Sequence, residues 1–462
     1  MTDDRAAAVV LAAGKGTRMK SALAKVLHPL AGRSMIAHVA ANLAPLACDP
    51  VVAVVAPGMA AVEKAVAPWP SVVQAEQLGS GHAVMAARDR LAGVTGDVLV
   101  VYGDSPFVST ESLRRLLARR RAADRPAVVV LGMRLDDPGE YGRLILGRDP
   151  RTGADGGLDA IVEYRDADAG QRTIDLCNSG AMAIDGRRLF DLLDRVGNAN
   201  AKGEYYLTEI VAVARRDGLA CAVVEAPADE LLGINSRAEL AVAEAALQQR
   251  LRARAMAEGA TLTDPRTVYF AYDTRLGRDV TVGPNVVFGP GVSVADGVEI
   301  RAFCHIEGAR IEAGAIIGPF ARLRPGCEIG AGARIGNFVE AKNAWLGAGA
   351  KANHLAYIGD ATVGERANIG AGTITCNYDG FDKARTEIGA DAFIGSNSAL
   401  VAPVTIGERA IVGAGSVITR DVAPDALALA RAEQVEKGGG AARLRQMKAG
   451  RKKAPAKGRA GD

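Results

Sequence analysis

An apolar side chain recurs every sixth residue through much of the second half of this 462-residue chain. Glycine follows many of these positions, and one five-residue step interrupts the series before Ile311. The series consists of Leu276, Val282, Phe288, Val294, Ile300, Ile306, Ile311, Ile317, Leu323, Ile329, Ile335, Ile388, Ile394, Leu400, Ile406, Val412 and Ile418. A period of six over about 140 residues is typical of a parallel β-helix, in which three short strands and turns complete each coil. The pattern predicts roughly eight coils, stacked about 4.8 Å apart.

One stretch interrupts this period, from residue 375 to residue 387, and it contains the sequence CNYDG at 376–380. Asn, Asp and Gly in such a run favour turns. A turn-rich insertion in a regular solenoid is more often functional than structural. We therefore expect the insertion, as residues 375–387 are called below, to take part in a binding site.

Residues 1 to about 230 follow a different pattern, in which apolar runs alternate with helical patterns. The runs lie at 8–11, 51–56, 98–101 and 128–131. This alternation predicts a largely parallel, Rossmann-like α/β sheet, and such sheets bind ligands beyond the carboxyl ends of their strands. A charged stretch at 236–258 has apolar residues at a 3.6-residue period, which predicts a linker helix between two domains.

Composition narrows the class of protein. Apolar residues make up 49% and charged residues 24% of the chain, which suits a soluble globular protein and excludes global disorder. No run approaches the roughly 18 apolar residues of a membrane span, and residues 1–5 lack a signal-peptide pattern. The six cysteines form no CxxC pair, and the five histidines lack zinc-ligand spacing. These features predict a cytoplasmic protein with free thiols and no integral membrane association.

Basic residues are concentrated at the C-terminal end. Residues 437–462 contain nine Lys or Arg residues and one acidic residue, whereas 47 basic residues face 52 acidic ones in the rest of the chain. This composition predicts a disordered, solvated tail. A nucleic-acid-binding arm is the less favoured alternative, so no nucleic-acid partner is expected.

The first predicted strand runs directly into a Gly-rich loop at 12–19, with the sequence AAGKGTRM. Small residues let the backbone approach a phosphate, and exposed N–H groups and cations neutralise it. The loop matches neither the GxxxxGK[ST] pattern nor the third glycine of GxGxxG. A Gly-rich turn alone is structural in about half of cases. Two glycines, nearby cations and the position after the first strand favour phosphate binding here.

Polar residues also follow other apolar runs. Asp104 ends the YGD sequence after the run at 98–101, where a carboxylate is well placed to hold Mg²⁺ over a triphosphate. A helix N-cap is the alternative role, but the nearby Gly-rich loop favours the metal. The segment 74–82, QAEQLGSGH, supplies amides and small residues that suit the edge of a uracil base. Its histidine, His82, is expected to be structural.

These segments together resemble known families. Residues 11–19, Lys25, 74–82 and 102–104 are similar to the sugar-phosphate nucleotidyltransferases, and the hexapeptide half is similar to the hexapeptide-repeat acyltransferases. Their combination over residues 6 to 435 resembles the bacterial bifunctional N-acetylglucosamine-1-phosphate uridyltransferases / glucosamine-1-phosphate N-acetyltransferases. The resemblance implies a uridyltransferase domain at 1–235, a helical linker at 236–259, a left-handed β-helical acetyltransferase domain at 260–435 and a basic tail at 436–462.

The resemblance also implies an activity and its small-molecule partners. Glucosamine-1-phosphate would be acetylated by acetyl-CoA, and UMP would then pass from UTP to N-acetylglucosamine-1-phosphate in the presence of Mg²⁺. The product, UDP-N-acetylglucosamine, would feed peptidoglycan and lipopolysaccharide synthesis. A homotrimer is implied as well, because neighbouring subunits of such solenoids share acyl-transfer sites.

In the first half the resemblance implies four groups of site residues. Those for the UTP phosphates are Leu11, Ala12, Ala13, Gly14, Arg18 and Lys25. Gln74, Gly79 and Ser80 would hold uracil, and Tyr102 would line the same site. Asp104 and Asn235 would bind Mg²⁺. Gly142, Glu163 and Asn178 would hold the N-acetylglucosamine moiety.

In the second half the resemblance implies a catalytic base and two binding sets. His354 is the expected base, and acetyl transfer needs one because the attacking amine must lose a proton. Glu340 is expected to orient it. Arg324 and Lys342 would clamp the sugar phosphate, and Tyr357 and Asn368 would contact the sugar. The residues expected at acetyl-CoA are Ala371, Asn377, Tyr378, Ser396, Ala414 and Arg431.

Two other functions are weighed against this one. The first is a nucleotidyltransferase with a merely structural β-helix, which the presence of His354, Asn377 and Arg431 disfavours. The second is a regulatory nucleotide-sugar sensor, or a translation-factor-like scaffold, that binds without turnover. A sensor is expected to have lost the metal-binding aspartate, whereas Asp104 is present.

Overall fold

The computed structural model describes residues 5–150, 153, 155–231 and 233–452. The chain divides into two compact units. The first comprises residues 1–257, 269–274 and 288–290, and the second comprises residues 258–268, 275–287 and 291–462.

The first unit is built from strands and helices that alternate along the chain. Its strands are β1 (Ala6–Leu11), β2 (Pro29–Leu30), β3 (Arg33–Ser34), β4 (Val51–Val55), β5 (Ser71–Val73), β6 (Asp97–Tyr102), β7 (Val128–Arg134), β8 (Arg143–Arg148), β9 (Asp155–Val162), β10 (Leu176–Asp185) and β11 (Cys221–Glu225). Its helices are α1 (Met35–Leu43), α2 (Ala60–Val66), α3 (Ser80–Ala86), α4 (Thr110–Arg120), α5 (Leu189–Leu193), α6 (Glu209–Arg216), α7 (Ala228–Leu231) and α8 (Arg237–Ala257).

The main sheet has the strand order β11-β7-β10-β6-β1-β4-β5. Neighbouring strands are parallel except at β10, which runs antiparallel to β6 and β7. Both faces are covered, because alternate residues of β1 such as Val9 and Val10 belong to core clusters on opposite sides. This double burial explains why the central strands read as continuous apolar runs. The predicted α/β class and largely parallel sheet are confirmed.

Helix α8 fills the stretch expected to be helical. Ser236 and Glu239 close its N-terminus, since the N–H of Glu239 donates to Oγ of Ser236 (3.2 Å) and the carboxylate of Glu239 accepts from the N–H of Asn235 (2.6 Å). Such a reciprocal cap satisfies N–H groups that the helix leaves free. The predicted apolar stripe packs on the first unit, where Leu240 and Leu247 contact a cluster that includes Phe107.

Short strands make up the repeat region. They are β12 (Thr261–Leu262), β13 (Arg275–Leu276), β14 (Thr281–Val282), β15 (Val287–Phe288), β16 (Ser293–Val294), β17 (Glu299–Ile300), β18 (His305–Ile306), β19 (Ala309–Ile311), β20 (Ile316–Ile317), β21 (Arg322–Leu323), β22 (Cys327–Ile329), β23 (Arg334–Asn337), β24 (Glu340–Leu346), β25 (Lys351–His354), β26 (Tyr357–Val363), β27 (Asn368–Ile369), β28 (Ile374–Cys376), β29 (Thr386–Ile388), β30 (Phe393–Ile394), β31 (Ala399–Val401), β32 (Val404–Ile406), β33 (Ile411–Val412), β34 (Val417–Ile418) and β35 (Leu427–Ala428).

These strands stack in parallel, coil on coil, as the hexapeptide period predicts. Ile300 pairs with Ile317, and Ile317 pairs with Ile335, so the aliphatic side chains form a column. Every member of the predicted series is buried except the first, Leu276, which is half-buried. This column continues through Ala352, which pairs with Ile335, and a neighbouring column continues through Ala341, which pairs with Leu323. The left-handed parallel β-helix expected for this half is confirmed.

Exposed aromatic side chains run along one corner of the β-helix. Phe303, Phe320 and Phe338 have left-handed backbone conformations at the same corner of successive coils. Their rings stack with centroid separations of 4.8 and 5.2 Å, and about half of each side chain is exposed.

The C-terminal segment differs from the disorder predicted for residues 436–462. Residues Gly440–Lys452 form helix α9, because Ala, Leu, Arg, Gln, Met and Lys all favour helices. Residues 453–462 of the predicted tail lie outside the described residues. Within the part of the chain that the structure describes, no helix is both long and apolar enough to cross a membrane.

Candidate functional sites

The Gly-rich loop forms one wall of a cleft of about 560 Å³ at the carboxyl end of β1. Gly16 in this loop has φ of +59°, and a Cβ there would lie 2.7 Å from Cβ of Lys25. Only glycine suits this position, for both conformation and space. The loop and the lysine are therefore held side by side.

The ammonium of Lys25 lies between two side-chain oxygens in this cleft. Its Nζ forms a short ion pair with Asp104 and donates to Oδ1 of Asn235 at 3.1 Å. Asp104 follows β6, which neighbours β1, and its carbonyl accepts from the N–H of Ile234 (3.0 Å). A carboxylate and an amide oxygen thus converge on one cation. Oxygen donors of this kind suit Mg²⁺, which usually takes one or two protein ligands plus phosphate oxygens and water.

The residues expected to contact a base form a second wall. Gln74 is buried, and its Nε2 donates to the carbonyl of Gly79 at 3.0 Å. Gly79 has φ of +112°, and a Cβ there would lie 2.6 Å from the carbonyl oxygen of Tyr205. Oγ of Ser80 accepts from the N–H of Leu207 (3.0 Å). Nδ1 of His82 lies 3.2 Å from Nε2 of Gln74, so His82 contacts the side chain of Gln74.

The residues expected to hold the sugar also lie together. The N–H of Asn178 donates to the carbonyl of Gly142 (2.8 Å), and a Cβ on Gly142 would lie 3.5 Å from the carboxylate oxygens of Glu163. Burial raises the pKa of Glu163, against the opposing effect of a hydrogen bond from Thr208. Burial also raises the pKa of Tyr102 to about 12, and the negative charge of Glu163 acts in the same direction.

The cleft contains most of the expected residues of the first half. Those that line it are Leu11, Ala12, Ala13, Gly14, Lys25, Gln74, Gly79, Ser80, Tyr102, Asp104 and Asn235. Arg18 is exposed and is not among the lining residues. Lys15 and Thr17 of the Gly-rich loop, Gln77 of the 74–82 segment and Glu204 also line the cleft, although none of them was named among the expected site residues. Gln77 is recognisable in retrospect, since its Nε2 donates to the carbonyl of Ala13 (2.6 Å).

In the second unit, His354 lies at the end of β25 with an exposed side chain. Its Nδ1 lies 2.8 Å from Oδ1 of Asn337, the residue beside it in β23. An amide oxygen can only accept, so Nδ1 carries the hydrogen and Nε2 is the basic nitrogen of the neutral ring. Both residues line a groove of about 270 Å³ with Arg301, Arg334 and Asn353.

Four expected residues share one row along the β-helix. Ile369 pairs with Ala352 on one side and with Ile394 on the other, and Ile394 pairs with Val412. Two positions further on in each of these coils lie His354, Ala371, Ser396 and Ala414, which we call the His354 row. Arg431 belongs to the end of this row, because its Nη1 donates to the carbonyl of Ala414 (2.7 Å).

The expected phosphate clamp lies on the next face. The N–H of Arg324 donates to the carbonyl of Ala341 (2.9 Å), which places Arg324 beside Lys342 of the following coil. Nη1 of Arg324 forms an ion pair with Glu340 at 3.0 Å. In the structure Glu340 therefore contacts Arg324, whereas Asn337 contacts Nδ1 of His354, and the role of Glu340 toward the base stays a prediction. The register pairs Glu340 with the Arg322–Leu323 strand, and Asn337 takes the position beside the histidine.

The remaining expected residues lie around the insertion and the neighbouring coils. The hydroxyl of Tyr357 packs on Gly359, where a Cβ would lie 2.4 Å from it. Asn368 lies between Lys351 and Phe393 in the sheet. In the insertion, Asn377 is only 9% exposed and donates to the carboxylate of Asp360, a residue that the sequence did not single out. Tyr378 is exposed, and its hydroxyl donates to the carbonyl of Gly380 (2.7 Å).

Two family models match the chain. The MobA-like NTP transferase domain matches residues 8–169, and the bacterial transferase hexapeptide (six repeats) matches 273–308, 308–340 and 385–420. Most residues that line the cleft lie within the first match, except Glu204 and Asn235. Arg301, Arg334 and Asn337 of the groove lie within the second match, whereas Asn353 and His354 follow its 308–340 segment. Fold and sites thus define a protein that joins a nucleotidyltransferase domain to a hexapeptide-repeat transferase domain.

Curated relatives match over nearly their whole length. The bifunctional protein GlmU of Paramagnetospirillum magneticum is 60% identical over 452 residues, 98% of this chain and 99% of that protein. That of Rhodospirillum rubrum is 63% identical over 441 residues, 96% of this chain and 97% of that protein. That of Acidiphilium cryptum is 59% identical, with 96% and 98% covered. The chain belongs to the GlmU family and is a bifunctional enzyme with uridyltransferase and acetyltransferase activity.

Proposed function

We propose that this chain makes UDP-N-acetylglucosamine in two steps. In the second unit, acetyl-CoA acetylates the amine of glucosamine-1-phosphate. In the first unit, UMP passes from UTP to N-acetylglucosamine-1-phosphate and pyrophosphate is released. The observation that carries the proposal is the presence in one chain of the Lys25–Asp104–Asn235 cluster beside a Gly-rich loop and of the His354 row. The product would feed peptidoglycan and lipopolysaccharide synthesis.

The acetyl step needs a proton acceptor at the amine. The amine nitrogen attacks the thioester carbonyl, a C–N bond forms, the C–S bond breaks and CoA leaves as a thiolate. Nε2 of His354 accepts the amine proton and then returns it to the thiolate. The Nδ1–H bond to Asn337 keeps Nε2 directed outward for this task. Arg324 and Lys342 bind the sugar phosphate and so fix the amine against the thioester.

The acetyl-CoA chain follows the His354 row. Three coil steps of about 4.8 Å separate His354 from Ala414, a span of about 14 Å. A thioester held beside His354 and a phosphate held by Arg431 then mark the two ends of the bound donor. Between these ends, acetyl-CoA contacts Ala371 and Ser396 of the row and the insertion residues Asn377 and Tyr378. Tyr357 and Asn368 contact the sugar.

The uridyl step takes place at the Gly-rich loop. Its N–H groups and the ammonium of Lys25 bind the phosphates of UTP, while Gln74, Gly79 and Ser80 hold the uracil. The sugar-phosphate oxygen attacks the α-phosphorus, and pyrophosphate leaves. Asp104 and Asn235 would hold Mg²⁺, which when bound neutralises charge on the phosphates. Gly142, Glu163 and Asn178 hold the acetylated sugar.

We further propose a cytoplasmic homotrimer. The stacked rings of Phe303, Phe320 and Phe338 form an exposed apolar stripe, and Phe381 at the tip of the insertion is 91% exposed. Apolar surface of this extent favours burial against further copies of the chain. Light scattering at assay concentration tests this, and a monomer with full acetyltransferase activity would contradict it.

Product analysis tests the proposed reactions. The protein is mixed with glucosamine-1-phosphate, acetyl-CoA, UTP and Mg²⁺, and products are identified by mass spectrometry. We expect UDP-N-acetylglucosamine, free CoA and pyrophosphate. Omission of acetyl-CoA should stop product formation, and supply of N-acetylglucosamine-1-phosphate should restore it. Uridyl transfer without acetyl transfer would instead support the alternative with a merely structural β-helix.

A further inference from the structure

Asp360 joins two neighbouring coils of the β-helix through hydrogen bonds. Its Oδ1 accepts from Nδ2 of Asn343 at 2.6 Å, and its other oxygen accepts from Nδ2 of Asn377. The register explains the alignment, because Lys342 pairs with Gly359, and Tyr357 pairs with Ile374. The three side chains therefore stack in one column, with the carboxylate between two amides.

Asp360 also lies near two lysines. Burial by itself would raise the pKa of Asp360, but the bonds from Asn343 and Asn377 and the charges of Lys342 and Lys383 outweigh it, so the pKa is lowered. The carboxylate is thus charged near neutral pH. Lys342 belongs to the expected phosphate clamp, and Lys383 belongs to the insertion.

The insertion is a hairpin whose base is buried and whose tip is exposed. Asn377 is 9% exposed, whereas Tyr378 is 60% and Phe381 is 91% exposed. The N–H of Ala384 donates to the carbonyl of Asn377 (3.0 Å), which closes the hairpin on itself. The hydrogen bond from the side chain of Asn377 to Asp360 therefore holds this hairpin against the preceding coil.

We propose that Asp360 is a positioning residue of the acetyltransferase site, which holds Asn377, and with it the insertion, where acetyl-CoA binds. Asp360 contacts no substrate in this role. It acts through Asn377, whose amide it orients. The inference rests on the proposed function in one respect, the contact of the insertion with acetyl-CoA.

The backbone at this position allows a clean test. Asp360 and Asn343 both have φ of +46°, a conformation that glycine adopts without strain. Asp360→Gly removes the carboxylate, and Asn343→Gly is the matched control that removes the other amide and leaves the bond to Asn377. Acetyl transfer at saturating acetyl-CoA, which needs the β-helix itself, reports whether each variant is folded.

Three quantities are measured on each variant. We expect Asp360→Gly to raise the KM for acetyl-CoA at least about tenfold, since a hydrogen bond to a charged group is lost. The KM for glucosamine-1-phosphate should not rise, because the variant removes a negative charge near Lys342. Hydrogen–deuterium exchange of residues 375–387, measured without substrates, should become faster. Asn343→Gly should leave all three values unchanged.

The outcomes separate this inference from the proposed function. Unchanged exchange in the insertion, or an unchanged KM for acetyl-CoA, overturns the role of Asp360. An equal loss in Asn343→Gly also overturns it, because the effect would then belong to the whole column. A wild-type chain that does not acetylate glucosamine-1-phosphate overturns the proposed function, whereas the exchange measurement still reports whether Asp360 holds the insertion.

Discussion

The ammonium of Lys25 pairs with the carboxylate of Asp104, and the two side chains are only 13% and 16% exposed. The two oxygens that suit a divalent cation, one from Asp104 and one from Asn235, are thus already bound to the ammonium of a lysine in the same site. A cation that binds Asp104 and Asn235 must first displace this ammonium, which is then free to reach the phosphates.

Lys25→Met should therefore strengthen metal binding while it weakens catalysis. Removal of the ammonium leaves Asp104 as a largely buried carboxylate without a partner, which is unfavourable until a cation neutralises it. We expect Mn²⁺ to bind at least about tenfold more tightly than to wild type without nucleotide, or about 1.4 kcal/mol. Electron paramagnetic resonance of free Mn²⁺ measures this. Lys20→Met, at an exposed cation after the same loop, is the control, and unchanged or weaker Mn²⁺ binding in Lys25→Met would count against the exchange.

The two activities should be separable by single substitutions. Asp104→Ala removes the carboxylate that would hold Mg²⁺, so uridyl transfer should fall below detection because charge on the phosphates is no longer neutralised. Acetyl transfer by the same preparation should stay near the wild-type rate. Coupled assays for pyrophosphate and for free CoA measure both. Comparable loss of both activities in a folded variant would contradict two independent sites.

His354→Ala should lower the kcat of acetyl transfer at least about 100-fold, as loss of a general base usually does. Uridyl transfer should be spared. Asn337→Ala should lower the same kcat about tenfold with little change in either KM, because the imidazole is still present but no longer held in one tautomer and orientation. Retention of more than about a tenth of wild-type kcat by His354→Ala would mean that the base lies elsewhere.

Glu163→Gln should change the pH dependence of thermal stability. Burial raises the pKa of Glu163 above its ordinary 4.5, so the native state binds the proton more tightly than the unfolded state does. Its stabilising contribution is present at low pH and is lost as the pH rises through the raised pKa. Glutamine does not ionise. The unfolding temperature of the variant minus that of wild type should therefore increase as the pH rises from 4.5 and then level off. Differential scanning calorimetry measures it, and a constant difference would contradict the raised pKa.

The architecture could be predicted from the sequence because its periods are local. Six-residue spacing from Ile311 to Ile335 predicts the column of the β-helix, and the run at 98–101 predicts the strand that carries Asp104. Most expected residues of the nucleotide cleft do line one cavity. Arg18 does not line it, since the loop turns it outward in a short 3₁₀ segment.

The contacts that orient the site residues were harder to predict. Asn337 lies 17 residues before His354, and Asp360 lies 17 before Asn377. These partners meet only once the coil register is known, and the five-residue step and the small Ala341 and Ala352 obscure that register in the middle coils. Glu204 reaches the cleft from a loop before α6, far from the Gly-rich loop in sequence, and no local pattern marks it.

The uniform stacking of the β-helix also fixes the distances between residues on different coils. Each coil pairs only with the coils on either side of it, so the separation of His354 from Ala414 depends on how many coils lie between them rather than on the length of any loop. Loss of one whole coil would shorten that separation by about 4.8 Å and leave the register on both sides intact. Loss of a single residue changes no number of coils, and the chain can absorb it, since the five-residue step from Ile306 to Ile311 leaves both side chains buried. In the proposed acetyl-CoA site, the distance between His354 and Ala414 is thus set by a whole number of coils.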